Sequence, residues 1–446
     1  MIEKGFKWRV IYSSAWVTGG FVFSQILRLL SNLILTRLLV PEMFGIMAIV
    51  SAFMTSIVMF SDVGLLQNIV QSKRGEDRIF LDTAWTIQII KGFVIFIFAF
   101  IISLFIYFIG DKGWFPSQSA YADPNLPFLL LLSSFSALVG GFNSINLMVF
   151  NRKLMIGKVV FIGIISQLIG LILMIVLAWY WREVWVLLIG GIISSLAKMI
   201  LSHHSTFGER CRFRFDTDCI KEIVGFGKWI FVSSIFGFML AQGDKFILGI
   251  WVTPDILGMY TIASFLANAL KSTINKLIGS VFYPLLSEVS REEPRELKRV
   301  YYKIRAKVDF ITMFSAGFFV NAGDVLIKFL YDERYVESGW MFELLSVSML
   351  LVGYSLAGTC LMAKGGAKKN AILTFFPMLF LYLCLPVVYT LYGLWAAILV
   401  IAINSIINIP FSFYMMHKSG LLSIWNEFRM VPVAIIAYFI SNYIFY

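Results

Sequence analysis

Six of the chain's 37 lysines and arginines fall inside strongly apolar runs: Arg28, Lys91, Lys198, Lys245, Lys271 and Lys276. A charge at bilayer depth is costly, so it usually faces a bundle interior or a water-filled cavity. Lys198 and Lys276 sit toward the ends of their runs and can snorkel to the interface, as can Lys91. Arg28, Lys245 and Lys271 lie too deep for that. Asp244 is the one clearly deep acid; Asp62, Asp82, Asp309 and Glu343 lie near run ends. The balance stays positive even if Asp244 pairs with Lys245 or Arg28. A wet, low-dielectric space of that sign favours anions, phosphates above all. Arg28 can grip a phosphate with two parallel N–H groups, whereas lysines act as point charges. Asp244 is the candidate for coupling to a proton or sodium gradient, or for neutralising a lysine.

Polar residues line up with these charges. The first apolar run carries Ser14, Thr18, Gln25, Arg28 and Asn32, and the eighth carries Ser264, Asn268, Lys271, Asn275 and Gly279. The seventh carries Ser234, Gly237, Ala241 and Asp244, with Lys245 adjacent. Steps of three, four and seven put each set on one helical face. In lipid such a face turns inward, toward a cavity or another helix. Polar packing between helices is the competing reading, but long cations make poor glue. The expected substrate-binding set is therefore Arg28, Lys245, Lys271, Lys91 and Lys276, lined by Gln25, Asn32, Asn268 and Asn275.

No catalytic constellation emerges. His203, His204 and His417 have no Asp/Ser partner or metal-ligand spacing nearby, and no Gly-rich phosphate loop is present. Cys211, Cys219, Cys360 and Cys384 form neither a disulfide framework nor a zinc pattern. The expectation is a chain without a cofactor or metal.

The elements that position these residues are membrane helices. The composition is 59% hydrophobic and 14% charged, against roughly 25% charged in soluble domains. A span needs roughly 20 apolar residues. The runs predict helices at 10–36, 43–66, 84–109, 126–150, 157–180, 184–204, 228–251, 256–286, 304–330, 340–363, 370–391 and 393–416, with a thirteenth at 430–446. One set of alternate loops holds 26 Lys/Arg residues and the other holds five. By the positive-inside rule the N-terminus is cytosolic. The mixed-charge stretch 288–303 reads as a solvated helical face beside anionic headgroups.

The segment Ile34–Ser51 returns as Ile247–Ser264 at a constant offset of 213 residues, close to half the chain. Each copy is an apolar run, a Pro-acid-x-x-Gly turn (Pro41-Glu42 to Gly45; Pro254-Asp255 to Gly258) and a second apolar run. Such self-similarity signals a duplicated membrane domain. The expected organisation is a six-helix lobe at 1–204, a cytosolic linker at 205–227 and a second six-helix lobe at 228–416. A loop and an additional hydrophobic helix fill 417–446.

Several segments resemble a known family. Asp62-Val-Gly-Leu65 followed by Ile69-Val-Gln-Ser-Lys73-Arg74 and Thr83-Ala-Trp85 looks like the end of the second helix in bacterial polysaccharide flippases. Gly243-Asp244-Lys245 through Gly249, then Pro254 to Tyr260, is similar to their seventh-helix pattern, and Ala322–Tyr331 with Tyr335 to their ninth-helix exit. The family belongs to the multidrug/oligosaccharidyl-lipid/polysaccharide exporter superfamily. The resemblance implies an all-α polytopic fold of two pseudosymmetric six-helix lobes around a V-shaped central cavity lined by helices 1, 2, 7 and 8. It also implies a flippase of the bacterial inner membrane, moving undecaprenyl-pyrophosphate-linked O-antigen, capsule or exopolysaccharide units by alternating access. Glycan polymerases and glycosyltransferases would be its protein partners. The rivals are a lipid II flippase, a multidrug exporter of the same superfamily, and a membrane glycosyltransferase or polymerase. A multidrug exporter calls for an acidic cavity, and an enzyme for paired carboxylates on a long outer loop. Family members often have fourteen helices, where thirteen runs are present here.

The topology carries a direct test. A cysteine at position 118 is expected to react with an impermeant thiol reagent on intact cells whose outer membrane admits it, and one at position 75 is not. The reverse pattern overturns the assignment.

Overall fold

The computed structural model describes residues 2–61, 64–111, 115–153, 155–204, 211–364 and 367–445, and every regular element among them is helical. Asp62 lies outside the described residues, as do the side chains of Ser14 and Ser234. The chain begins with α1 (Ile2–Leu38), α2 (Pro41–Phe60), α3 (Leu65–Gln71) and α4 (Arg78–Asp111). A bent pair, α5 (Leu126–Gly141) and α6 (Asn146–Arg152), precedes α7 (Ile156–Trp181) and α8 (Trp185–Ser202). Then come α9 (Thr217–Trp251), α10 (Pro254–Leu277), α11 (Tyr283–Glu292) and α12 (Leu297–Leu330). The chain closes with α13 (Ser338–Ser346), α14 (Gly353–Ala363), α15 (Ala367–Ile403), α16 (Asn408–Lys418), α17 (Ile424–Phe428) and α18 (Val431–Phe445).

Among the described residues, nine helical segments are long and apolar enough to cross a membrane, or ten with α5–α6 taken as one span. One of the nine, Phe375–Lys418, has 44 residues. At about 1.5 Å per residue it would be roughly twice as long as a hydrocarbon core. Gly393, at φ 76 and ψ −167, divides it into two helices. The polar stripe of α10, with Lys276 added, keeps that helix out of the nine. The result is a polytopic all-helical membrane protein.

Both copies of the internal repeat have the same local form. α1 ends at Leu38 and α9 at Trp251, and Pro41 and Pro254 each open the next helix. Proline suits a first helical position because that N–H has no intrahelical partner.

Several expected helices differ in detail. The second stops at Phe60 rather than running to 66, and a separate helix starts after Gly64, which sits in the left-handed region (φ 62). The helix expected at 126–150 is bent by 64° between α5 and α6. The helix expected at 256–286 contains a π-helical turn, Ile278–Phe282, just before Pro284. Pro284 has no N–H to give the preceding turn, so the bonding pattern must change there. α9 starts at Thr217, capped by the Asp216 carboxylate accepting from Cys219 N (3.0 Å).

The chain forms two compact units. The first is Met1–Phe238 with Leu248–Leu257; the second is Met239–Ile247 with Gly258–Tyr446. In the first unit α1 packs on α7, with Ser24 Oγ donating to Gln167 Oε1 (2.5 Å). The loop charges of this unit fasten helices. Arg152 Nη1 donates to the carbonyls of Ile69 (2.6 Å) and Ser72 (2.7 Å) at the end of α3. Lys153 and Arg152 flank Glu76, at 3.1 and 3.5 Å, and the Lys153 bond holds the Glu76 carboxyl below its usual range. Asp82 is buried near the start of α4; it takes Arg78 (3.2 Å) and the backbone N–H of Arg212 (3.1 Å).

The second unit is built around a buried cation. Arg305 is 1% exposed and meets Asp309 (3.1 Å), Glu427 (2.5 Å) and the Tyr301 hydroxyl (2.7 Å). The Tyr302 hydroxyl donates to Glu427 (2.8 Å) and accepts from Ser423 N (2.7 Å), so α17 is bolted to α12.

Two expectations follow. Gly75 cannot carry a side chain, because a Cβ there would overlap the Ile69 carbonyl and the Arg152 guanidinium. The labelling test therefore belongs at exposed Lys73, with Lys73→Cys protected and Gln118→Cys reactive. Arg305→Ala should lower stability by about 3–5 kcal/mol, because two buried carboxylates lose their partner. Arg299→Ala, at a side chain 83% exposed, should change it by less than about 0.5 kcal/mol. Thermal melts of the detergent-solubilised variants read both.

Candidate functional site

In the first unit the break between α5 and α6 frees backbone carbonyls from the helical pattern. Such groups must find donors, because lipid offers none. Gln88 Nε2 donates to the carbonyls of Gly141 (2.8 Å) and Asn143 (2.9 Å), and Trp85 Nε1 donates to Asn143 O (3.1 Å). Beside the break lies a cavity of about 460 Å³ whose lining includes Lys91, Lys198, Gln67, Asn143 and Asn151. Lys91 and Lys198, each able to snorkel by its position in sequence, thus share one cavity. Buried Asn143 Oδ1 has no hydrogen-bond partner among the described residues.

The α1 stripe belongs to the same unit. The α1 face against α7 carries Trp16, Gly20 and Ser24. Thr18, Gln25, Arg28 and Asn32 lie roughly a third of a turn away from it. Arg28 is exposed, and Gln25 and Asn32 are half-buried.

The second unit holds the α10 stripe and its neighbours on α9. Buried Tyr260 donates its hydroxyl to Asp244 Oδ2, while the other carboxylate oxygen is buried without a hydrogen-bond partner among the described residues. Lys245 donates to Gln242 Oε1 (3.1 Å), so Asp244 and its sequence neighbour turn to different partners. Lys271 donates to Ser348 Oγ (3.1 Å) and lies within electrostatic reach of Asp244. Asn275 Oδ1 accepts from Ser355 Oγ (3.1 Å), and exposed Asn268 donates to Ser264 (3.0 Å). Lys276 is exposed. The stripe thus does two things. Lys271 and Asn275 hold α10 to Ser348 and to Ser355 on α14, which is helix-helix glue, and Asn268 and Lys276 stay exposed. Tyr382 reaches the same region from α15 and lies against Gly243.

Sequence reading missed Gln88, Trp85, Tyr260 and Tyr382. Trp85 and Tyr260 fall in the family-like segments without standing out as site residues, Gln88 and Tyr382 have an unremarkable local context, and each gains its role from a group elsewhere in the fold. The Gln88–Lys91 spacing of one helical turn was the only available hint. Among the described residues no cluster of three or more His, Cys, Asp or Glu side chains could hold a metal.

A family model described as polysaccharide biosynthesis protein matches residues 34–340. The chain is 20% identical over 444 residues to the lipopolysaccharide biosynthesis protein WzxC of Escherichia coli (strain K12), spanning 96% of this chain and 87% of that one. Among solved structures it is similar to the lipid II flippase MurJ in an inward closed conformation, with TM-score 0.70, 14% identity, and 96% and 98% of the two chains covered. It is also similar to an inward-facing multidrug resistance MATE family transporter of the MOP superfamily, with TM-score 0.63, 16% identity, and 92% and 95% covered. At these identities the structural likenesses establish the fold.

The α9–α15 approach gives a test within the second unit. A Cβ on Gly243 would lie 2.7 Å from the Tyr382 hydroxyl. Gly243→Ala should therefore cost about 1–3 kcal/mol by overpacking. Tyr382→Leu in the same chain should recover most of that loss, read as melting temperatures in a double-mutant cycle.

Proposed function

The chain belongs to the polysaccharide biosynthesis protein family, and from that premise we propose that it is a flippase for lipid-linked oligosaccharides. Its cargo is an O-antigen, capsule or exopolysaccharide unit on undecaprenyl pyrophosphate. It carries this unit across the bacterial inner membrane by alternating access, with its N-terminus in the cytosol. It is a transporter rather than an enzyme, and glycosyltransferases and a glycan polymerase are its functional partners.

The observation that supports this reading is the set of cations within membrane helices, on or beside polar faces. A pyrophosphate is the one part of such a substrate with a strong charge, and it must pass a region where water is scarce. Arg28, Lys245 and Lys271 would supply positive charge within the spans, with Lys91 adding to it. Lys276 adds charge nearer the helix end. Gln25, Asn32, Asn268 and Asn275 offer hydrogen bonds to sugar hydroxyls. The prenyl tail stays in lipid throughout. A multidrug exporter for organic cations would need the opposite sign, and the one clearly deep acid, Asp244, is engaged by Tyr260. Asp244 is the residue through which a proton or sodium gradient would act.

Complementation of a flippase-null strain, with membrane abundance measured alongside, tests the reading. Lys271→Ala and Lys271→Glu should abolish glycan export at normal protein levels, while Lys271→Arg retains part of it. Arg28→Lys should lose more than Lys271→Arg does, because a two-pronged phosphate contact is broken. Intact export with neutral residues at Arg28, Lys245 and Lys271 would overturn the anionic-substrate mechanism.

A further inference from the structure

At the charged end of α12 the second unit has a groove of about 740 Å³ between that helix and the α17–α18 segment. Its walls carry Arg295, Arg299, Lys303 and Lys307 on one side and Arg429 on the other, and no carboxylate lines it. Arg299 pairs with Glu296 at 3.3 Å. Arg295, Lys303, Lys307 and Arg429 are exposed and have no protein partner among the described residues. Residues 299, 303 and 307 form one ridge along the helix. Like charges at that spacing repel, so the row costs free energy in the bare protein and gains from a bound anion. Lys298 and Tyr302 are occupied otherwise: Lys298 donates to Leu422 O (2.8 Å), and Tyr302 holds Glu427. These bonds fix the two walls against each other, so the groove is a built feature.

Its level relative to the bilayer follows from where the surface turns apolar. One turn beyond Lys307, α12 exposes Phe310, Ile311 and Phe314. Just beyond Arg429, α18 exposes Val431, Ile435 and Ile436. Trp425 and Phe428 of α17 are also exposed at this junction, as aromatic residues at a membrane-water interface are. The two walls change from cationic to lipid-facing together, and Ala306 and Met430 supply apolar lining between the charges. A free ion would use only the charges. A membrane phospholipid would use both parts, with its phosphate among the cations and its first acyl carbons on the apolar surface.

We propose that this groove is a binding site for the phosphate headgroup of an anionic phospholipid, separate from the residues assigned to transport. Basic pockets beside membrane helices are suited to such headgroups. The test uses the purified full-length chain and native mass spectrometry. Phosphatidylglycerol and phosphatidylcholine with the same acyl chains are offered in parallel, and inorganic phosphate is offered alone. The wild-type chain should retain phosphatidylglycerol about tenfold or more over phosphatidylcholine. The triple variant Lys303→Gln, Lys307→Gln, Arg429→Gln should lose that preference while keeping its melting temperature. The pair Arg295→Gln, Arg299→Gln serves as a second, independent reduction of charge and should weaken the preference. Equal retention of the two lipids by the wild-type chain overturns the proposal, as does undiminished phosphatidylglycerol on the folded triple variant. Binding of inorganic phosphate as tight as that of phosphatidylglycerol would assign the groove to a free anion and overturn the lipid assignment. None of these readouts depends on glycan export, so the result stands apart from the proposed transport activity.

Discussion

A guanidinium cannot sit in an apolar interior without carboxylates, and the second unit is arranged around that constraint. Arg305, Asp309 and Glu427 are all within about 2% of full side-chain burial. Such a cluster adds little net stability, because desolvation offsets the attraction, yet removing one member is expensive. Its value is register. Tyr301, Tyr302, Arg305 and Asp309 lie on one side of α12, and only one placement of α17 brings Glu427 to both Arg305 and Tyr302. The same contact sets the start of α18, and with it the opening of the basic groove on the other side of Tyr302. A buried ion pair thereby positions an exposed row of cations.

The second constraint is that backbone polar groups in a membrane must be satisfied by protein. The regular helices meet it by themselves, so each interruption needs a specific repair. At the α5–α6 break the repair is Gln88, about one helical turn before Lys91, and Trp85, about one turn earlier still. At the end of α10 the interruption is the π-helical turn at Ile278–Phe282, two residues after Lys276. Transporters commonly place irregular backbone where it lines a hydrated space. Here the intramembrane charges of α4 and α10 lie within two turns of such an interruption in their own unit. The strongest polar features and the weakest helical segments occur together because both require water or protein donors that lipid lacks.

Much of this was readable from sequence, for a local reason. Apolar runs, loop charges and the 213-residue repeat are all properties of contiguous segments. The repeat even marks the helix ends, since Leu38 and Trp251 stand at equivalent positions before Pro41 and Pro254. What escaped depends on partners far apart in the chain. Glu427 gave no signal by itself, and its contact with Tyr302 spans 125 residues. Gln88 looked like any polar residue in a span until the α5–α6 break placed carbonyls in front of it. Lys91 and Lys198 read as separate snorkelling side chains, although the fold brings both to one cavity. The end of α2 escaped for a different reason: the apolar Leu65 and Leu66 read as part of the same run, although they belong to α3, which starts after the left-handed Gly64.

The hydrogen-bond economy of the deep lysines bears most directly on an anionic cargo. A lysine ammonium has three donors. Lys271 gives one to Ser348, and Lys245 gives one to Gln242. Both acceptors are neutral, so each bond orients the side chain without cancelling its charge. The nearby carboxylate is tempered differently: Asp244 accepts from Tyr260, again a neutral partner. Contrast Arg305, where two carboxylates close around a fully buried cation and cancel its charge. The second unit therefore contains two kinds of buried or half-buried cation. One kind is neutralised and serves packing; the other is held in place by neutral groups and keeps its field and its spare donors. For the second kind no hydrogen-bonded carboxylate has to be displaced before another acceptor takes its place, although Asp244 lies within electrostatic reach of Lys271.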